Sequence, residues 1–499
     1  MTADGGDDGS FDRLFLGSDA GEAAYRDAVS RARKAVVEAT RTREPFSGAA
    51  PEAVEAALPA ETLPESGARL ADVIDEVSAN VLADTVNVSH PLTAAHLHCP
   101  PSVVGLAAEV LLSATNQSLD SYDQSGAATV VEGRVIDALC GLFDFPGTAD
   151  GVVTSGGTES NFQGLLLARD RYCAETLDRD VQTAGLPPAA EDLRVLCSAD
   201  AHFTTEQAAH YLGLGSDAVV PVETAVDHSM DTAALDGALA DLESSGRRPF
   251  AIVATAGTTD VGAIDDLEAA AALAREHDCW FHVDAAFGGA LALTDERDRL
   301  DGVERADSIA VDFHKLLFQP IGCGALLLGD RAEFEYVSRH DEYLNPGDSA
   351  LPNLVSKSTR TTRRFDALKP YVAFRALGRE GLGALVEATL DTAERAAGLL
   401  ADASDFELLA QPSLNTVLFR YRPHEALLGE ELDQFTVALR EGLFRDGRAV
   451  VARTRVDGRD SLKLTLMNPR TTPRDVATIL DAIRDVAADV EADAPPRNG

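Results

Sequence analysis

From about residue 100 to 329, short apolar runs alternate with Ala- and Leu-rich stretches of helical spacing. This alternation constrains the fold more than any other feature of the chain. The runs are Gly151-Val152-Val153, Arg194-Val195-Leu196-Cys197, Ala218-Val219-Val220, Phe250-Ala251-Ile252-Val253-Ala254, Trp280-Phe281-His282-Val283 and Ser308-Ile309-Ala310-Val311. A strand with one wet face alternates apolar and polar residues, and these do not. They are strands covered on both faces and joined by helices, which makes a mostly parallel sheet in an α/β architecture. One crossover is directly readable: a strand through Val253-Ala254, a helix over 265–276, and a further strand from Trp280. Right-handed crossovers put the carboxyl ends of such strands on one edge, where open α/β sheets bind ligands.

The flanking regions read differently. Helical spacing covers 20–42 and 70–82, with a Pro-, Glu- and Ser-rich connector at 44–66. Beyond the sheet, 378–401 reads as a long helix. Strands at 415–421, 449–453 and 462–466 with helices at 432–443 and 474–488 make a small α+β unit. The chain of 499 residues is too long for one simple core. The expected organisation is a helical arm that serves dimerisation (1–99), a large domain (100–375), a small C-terminal domain (376–490) and a flexible tail (491–499).

Charge and composition exclude several classes. The net charge of −39 repels nucleic acid. Among 43 basic residues only Lys34, Lys315, Lys357, Lys369 and Lys463 are lysines, and acidity with scarce lysine fits a surface adapted to high salt. No apolar run approaches the roughly 20 residues that cross a bilayer. Six cysteines are scattered without a Cys-x-x-Cys pair, which points to a reduced, cytoplasmic setting. No metal-ligand spacing and no Gly-Lys-Ser/Thr phosphate loop is present.

The residues suited to chemistry cluster just past the strand ends. Thr154-Ser155-Gly156-Gly157-Thr158-Glu159 is a glycine turn that opens a helix, where free N–H groups meet a phosphate. Alone, it reads more commonly as a tight strand-to-helix turn. Asp284 ends the Trp280 run, and a carboxylate there needs a partner. Lys315 stands among apolar neighbours after the Ser308 run. Such a lysine is costly unless its amine is used, as it is when it condenses with a carbonyl cofactor. A phosphate turn, a buried acid and a buried lysine on successive strands together suit pyridoxal 5′-phosphate. His202, in Asp200-Ala201-His202-Phe203-Thr204, ends another strand region, where its flat ring suits stacking on a pyridine.

The ordered set of these motifs, with Thr255-Ala256-Gly257-Thr258-Thr259, His282-Val283-Asp284-Ala285-Ala286 and His314-Lys315, resembles the group II pyridoxal-phosphate-dependent amino acid decarboxylases over roughly residues 80–480. The resemblance implies the aminotransferase-like type I fold, a seven-stranded sheet and a homodimer with active sites at the interface. It implies that Lys315 carries the cofactor, that Asp284 keeps the pyridine nitrogen protonated, and that His202 stacks on the ring and contacts the substrate carboxylate. Gly157, Thr158 and His314 are implied at the phosphate end, with Thr255 and Ala286 against the ring. Tyr343, in Asp341-Glu342-Tyr343-Leu344-Asn345-Pro346-Gly347, matches the mobile-loop tyrosine that protonates the product carbon. Phe203 and Phe287 stand where relatives often carry Ser and Tyr.

Within the family, residues 114–125, Phe313-His314-Lys315-Leu316 and residues 361–369 look most like L-2,4-diaminobutyrate decarboxylases. Asp120 and Asp123 then either meet the substrate's second amine or belong to a solvated loop of an acidic protein. The expected reaction is decarboxylation of L-2,4-diaminobutyrate to 1,3-diaminopropane. Glutamate or aromatic amino acid decarboxylation, an aminotransferase and a catalytically silent relative are the alternatives.

Overall fold

The computed structural model describes residues 11–42, 44–339, 351–424 and 427–493. In chain order the strands are β1 (Thr93–Ala94), β2 (Asp150–Thr154), β3 (Leu193–Ser198), β4 (Val219–Val222), β5 (Arg248–Thr255), β6 (Trp280–Asp284), β7 (Ser308–Asp312), β8 (Gly324–Leu328), β9 (Phe406–Leu408), β10 (Thr416–Tyr421), β11 (Val450–Val456) and β12 (Arg459–Thr465). Seven of them form the main sheet in the order β2-β8-β7-β6-β5-β3-β4.

Only β8 runs against its neighbours in that sheet, pairing antiparallel with both β2 and β7. The other pairs are parallel. The carboxyl ends of β2, β3, β5, β6 and β7 therefore share one edge. The apolar pattern does not announce β8, because apolar residues continue from Leu316 to Phe318 shortly before it and periodicity does not separate two short buried runs. Both faces of the sheet are packed, as the continuous apolar runs require: β5, β6 and β7 are buried almost throughout.

A second sheet, β1-β11-β12-β10-β9, is built mostly from the C-terminal part. Its edge strand β1 comes from before residue 100 and lies parallel to β11. The connector 44–66 contains a short helix, Pro51–Ala57, that its composition hid, although proline at a first helical position is a start signal. The helix expected from Gly378 begins at Leu368 and runs to Asp402, with Gly378 at φ 66° and ψ −179° dividing it. Gly378 thus marks the start of the expected helix, and a shorter helix from Leu368 leads into it across the kink. The helix expected over 265–276 starts at Leu267, with the Asp266 side chain capping it.

Candidate active site

At the shared strand edge lies a cavity of about 290 Å³. Gly157, Thr158, His202, Thr255, Asp284, Ala286, His314 and Lys315, all singled out from sequence, line it. A second cavity of about 330 Å³ lies near the amino ends of β5 and β6, between Arg171, Cys279 and Trp280, and holds none of these residues.

The glycine turn is built by β2 ending at Thr154. The Gly156 N–H donates to Thr154 Oγ1 at 3.3 Å, and the Ser155 N–H donates to Glu159 Oε2 at 2.8 Å. The helix Gly157–Leu177 then begins, and its first N–H groups have no intrahelical partner. Gly156 has φ 143°, and a Cβ there would stand 2.7 Å from His314 Cε1. A Cβ on Gly157 would meet that of Ala286 at 3.1 Å. Side chains are thus kept off the turn, and the helix-start amides of Gly157 and Thr158 are left for a ligand.

β6 delivers Asp284 and β7 delivers the lysine segment. The Asp284 carboxylate accepts the Ala286 N–H at 3.1 Å and the Asn161 amide at 2.7 Å. Lys315 Nζ lies 3.0 Å from Asp312 Oδ2, and His314 Nε2 lies 3.8 Å from the same oxygen. Asp312 Oδ1 is buried with no hydrogen-bond partner among the described residues. On β5 the Thr255 N–H donates to Asp265, whose burial raises its carboxyl to about 6. Thr255 Oγ1 is likewise buried and unpartnered. His202 Nδ1 pairs with Thr204 Oγ1 at 3.0 Å. Burial lowers the His202 imidazole, while Asp284 acts in the opposite sense.

Asp120 and Asp123 do not line this cleft. Asp120 is buried and accepts the Ser121 N–H; Asp123 is exposed and accepts the Ser121 hydroxyl at 2.6 Å. Tyr343 and the surrounding loop lie outside the described residues. Phe287 is buried at the cleft wall, and Phe203 is 63% exposed with its ring 4.3 Å from that of His202.

Sequence reasoning missed Asn161, Thr204 and Asp312. Asp312 lies three residues before Lys315, and Asn161 lies in the first turns of the helix that the glycine turn opens. Lysine scarcity proved a weak signal by itself. Lys369 is fully buried between Asp366 and Glu109, and Lys463 is buried against Asp260. Position at the strand edge, not burial, separates Lys315 from them.

The residues fit pyridoxal phosphate on observations independent of family. A Cβ-free amide cradle suits a phosphate, and the unpartnered Thr255 hydroxyl and Asp312 oxygen offer polar contacts at the wall. Among the described residues, Lys315 is the one lysine at the cleft wall. A site of this chemistry on this sheet defines the class, a pyridoxal-phosphate enzyme of the aminotransferase-like fold. Comparison with known proteins narrows it further. The conserved domain of pyridoxal-dependent decarboxylases matches residues 51–422, and the chain belongs to that family.

Among relatives, an L-2,4-diaminobutyrate decarboxylase of Rhizobium meliloti is 45% identical over 483 residues, covering 96% of this chain and 94% of that one. Another, from Acinetobacter baumannii, is 37% identical over 95% of this chain and 93% of its own. A crystal structure from Vibrio parahaemolyticus, of the glutamate decarboxylase domain of a diaminobutyrate-pyruvate transaminase and L-2,4-diaminobutyrate decarboxylase, is 41% identical. It superposes with a TM-score of 0.87 and covers 95% of this chain and 98% of that one.

Proposed function

We propose that this decarboxylase acts on L-2,4-diaminobutyrate, releasing CO2 and 1,3-diaminopropane. The observation that carries the reading is near-full-length identity of 45% and 37% to two enzymes of that activity. Bound pyridoxal phosphate supplies an electron sink for the pair left on the substrate carbon as CO2 departs.

The chain's own residues do the rest. Lys315 holds the cofactor covalently through Nζ, and Asp312 balances the charge of that amine whenever it is free. Asp284, fixed by two hydrogen bonds, would hold the ring nitrogen and favour its protonated state. The helix-start amides of Gly157 and Thr158, with His314, hold the phosphate. Thr255 and Ala286 wall the ring. His202, also at the cleft wall, would stack on the ring and contact the substrate carboxylate. Tyr343 gives the proton that replaces CO2 on the substrate carbon.

We further assign the chain to the cytoplasm and to a homodimer. Val103, Leu106, Val110 and Leu111 on the helix Val103–Thr115 are 43–81% exposed, an apolar face suited to a second copy. Asp123, outside its own chain's cleft and a few residues beyond that helix, is assigned to the partner's site, where it meets the substrate's second amine. The acidic, lysine-poor composition supports a high-salt setting. Incubating purified protein and pyridoxal phosphate with L-2,4-diaminobutyrate tests the reading: 1,3-diaminopropane is the expected product, and its absence overturns it.

A further inference from the structure

Behind the cleft, between the sheet and the helix Gly157–Leu177, runs a continuous line of buried polar side chains. Trp280 Nε1 lies 2.8 Å from Ser308 Oγ, and Ser308 Oγ lies 2.7 Å from His282 Nδ1. His282 Nε2 lies 2.9 Å from Asn161 Oδ1. Asn161 Nδ2 reaches Asp284 Oδ2 at 2.7 Å and Thr204 Oγ1 at 3.0 Å. Thr204 Oγ1 then lies 3.0 Å from His202 Nδ1. Trp280, Ser308, His282, Asn161 and Thr204 are each at most 3% exposed. Space for the imidazole comes from Gly164, where a Cβ would stand 2.8 Å from His282 Nδ1.

The direction of every bond is set by the chemistry at the two ends. An ionised carboxylate only accepts, so the Asn161 amide nitrogen faces Asp284 and its oxygen faces His282. His282 therefore carries its proton on Nε2 and accepts on Nδ1. Ser308 donates to that nitrogen and accepts from the Trp280 indole, which can only donate. With Asn161 donating to Thr204, the threonine hydroxyl is free to donate onward to His202 Nδ1. The Thr204 backbone N–H points at the same nitrogen at 3.4 Å. These tautomers are assigned from the network as a whole. Two donors converge on His202 Nδ1, which leaves the ring's own proton on Nε2.

We propose that Asn161 and Thr204 are positioning residues that lock His202 in its neutral Nε2–H tautomer, so that it offers the substrate carboxylate a hydrogen-bond donor, while the same amide fixes the Asp284 carboxylate. The inference rests on the assignment of His202 and Asp284 to the cofactor site. One polar line thereby couples Asp284 to His202. Asn161 is the branch point, since each hydrogen of its amide serves one arm. Neither residue need touch the substrate.

The test reads the imidazole nitrogens of the full-length protein by 15N NMR with labelled histidine, with and without pyridoxal phosphate, using His202→Gln to assign the His202 signals. The expected wild-type spectrum shows His202 neutral with its proton on Nε2; a proton on Nδ1 overturns the proposal without any variant. Thr204→Val removes the hydroxyl at nearly the same volume and is expected to convert His202 to a mixture of tautomers. It should also raise KM for the amino acid several-fold with little change in cofactor affinity. Thr204→Ser should restore both. An unchanged Nε2–H signature in Thr204→Val overturns the role of Thr204. A protein that shows the tautomer pattern but decarboxylates no amino acid overturns the proposed function and the role toward the substrate carboxylate, and leaves only the tautomer lock standing.

Discussion

Replacing Arg363 with methionine is expected to destabilise the protein by about 3–5 kcal/mol, the usual cost of stranding one member of a buried ion pair. Arg363 and Glu132 have side chains 2% and 1% exposed. Arg363 Nη1 donates to both Glu132 oxygens, at 2.8 and 3.0 Å, and to the Val153 carbonyl at 3.0 Å. Glu132 in turn accepts the Val153 N–H at 3.1 Å. Without the guanidinium, that N–H is left to carry the carboxylate in a site shut off from bulk solvent. The loss is a large share of the ~5–15 kcal/mol that stabilises a typical protein. Glu132→Gln in the Arg363→Met background removes the stranded charge and should recover part of it. Urea unfolding followed by near-UV circular dichroism, with a double-mutant cycle, measures both numbers. Because Val153 leads into the Gly156 turn, cofactor affinity should fall alongside stability. A loss below about 1 kcal/mol, or a double variant no better than the single, refutes the reasoning.

Lys315→Ala should abolish the visible absorbance of bound cofactor and turnover together; borohydride reduction of the wild type should label the Lys315 peptide, and a label on Lys357 or Lys369 would contradict the assignment. Gly156→Ala, with its new Cβ against the His314 ring at a φ of 143°, should weaken pyridoxal phosphate binding at least tenfold, or about 1.4 kcal/mol, read by fluorescence titration. Burial holds the His282 imidazole down at about 4, against an ordinary value of 6.5. Between those values the unfolded chain binds the proton more readily, so stability is full above pH 6.5 and declines as pH falls toward 4. The thermal midpoint of the wild type should therefore drop more on acidification than that of His282→Asn, and equal drops would refute this. Asp123→Asn should raise KM for L-2,4-diaminobutyrate, and an unchanged KM removes that residue from substrate recognition.

The residues legible in the sequence are those whose chemistry is expensive where they stand. Asp284 and Lys315 each come after a buried apolar run, and the glycine pair sits between a strand and a helix. Asn161, Thr204 and Asp312 are ordinary polar residues whose meaning arises only when β6, β7, the helix Gly157–Leu177 and the helix Thr204–Tyr211 come together. The stretches 114–125 and 361–369 show the opposite case. They stand out in the sequence, and in the fold they hold each other: the Leu119 N–H donates to the Arg363 carbonyl, Arg363 Nη2 reaches the Leu119 carbonyl, and Ser118 bridges to Arg364. A part of what distinguishes this chain's sequence there is structural clamp rather than substrate contact. In the fold, β8 and the Pro51–Ala57 helix escaped notice because one lies close behind another apolar run and the other is short and exposed.

Decarboxylation of a diamino acid is tested most directly by the ranking of kcat/KM for CO2 release, in high salt with saturating pyridoxal phosphate, across L-2,4-diaminobutyrate, ornithine, glutamate, tyrosine and DOPA. Diaminobutyrate is expected to lead and to yield 1,3-diaminopropane in step with CO2. Preference for an aromatic or acidic substrate would contradict the diamino acid reading while keeping the decarboxylase. Bound cofactor with no CO2 from any of them would contradict the proposed reaction itself.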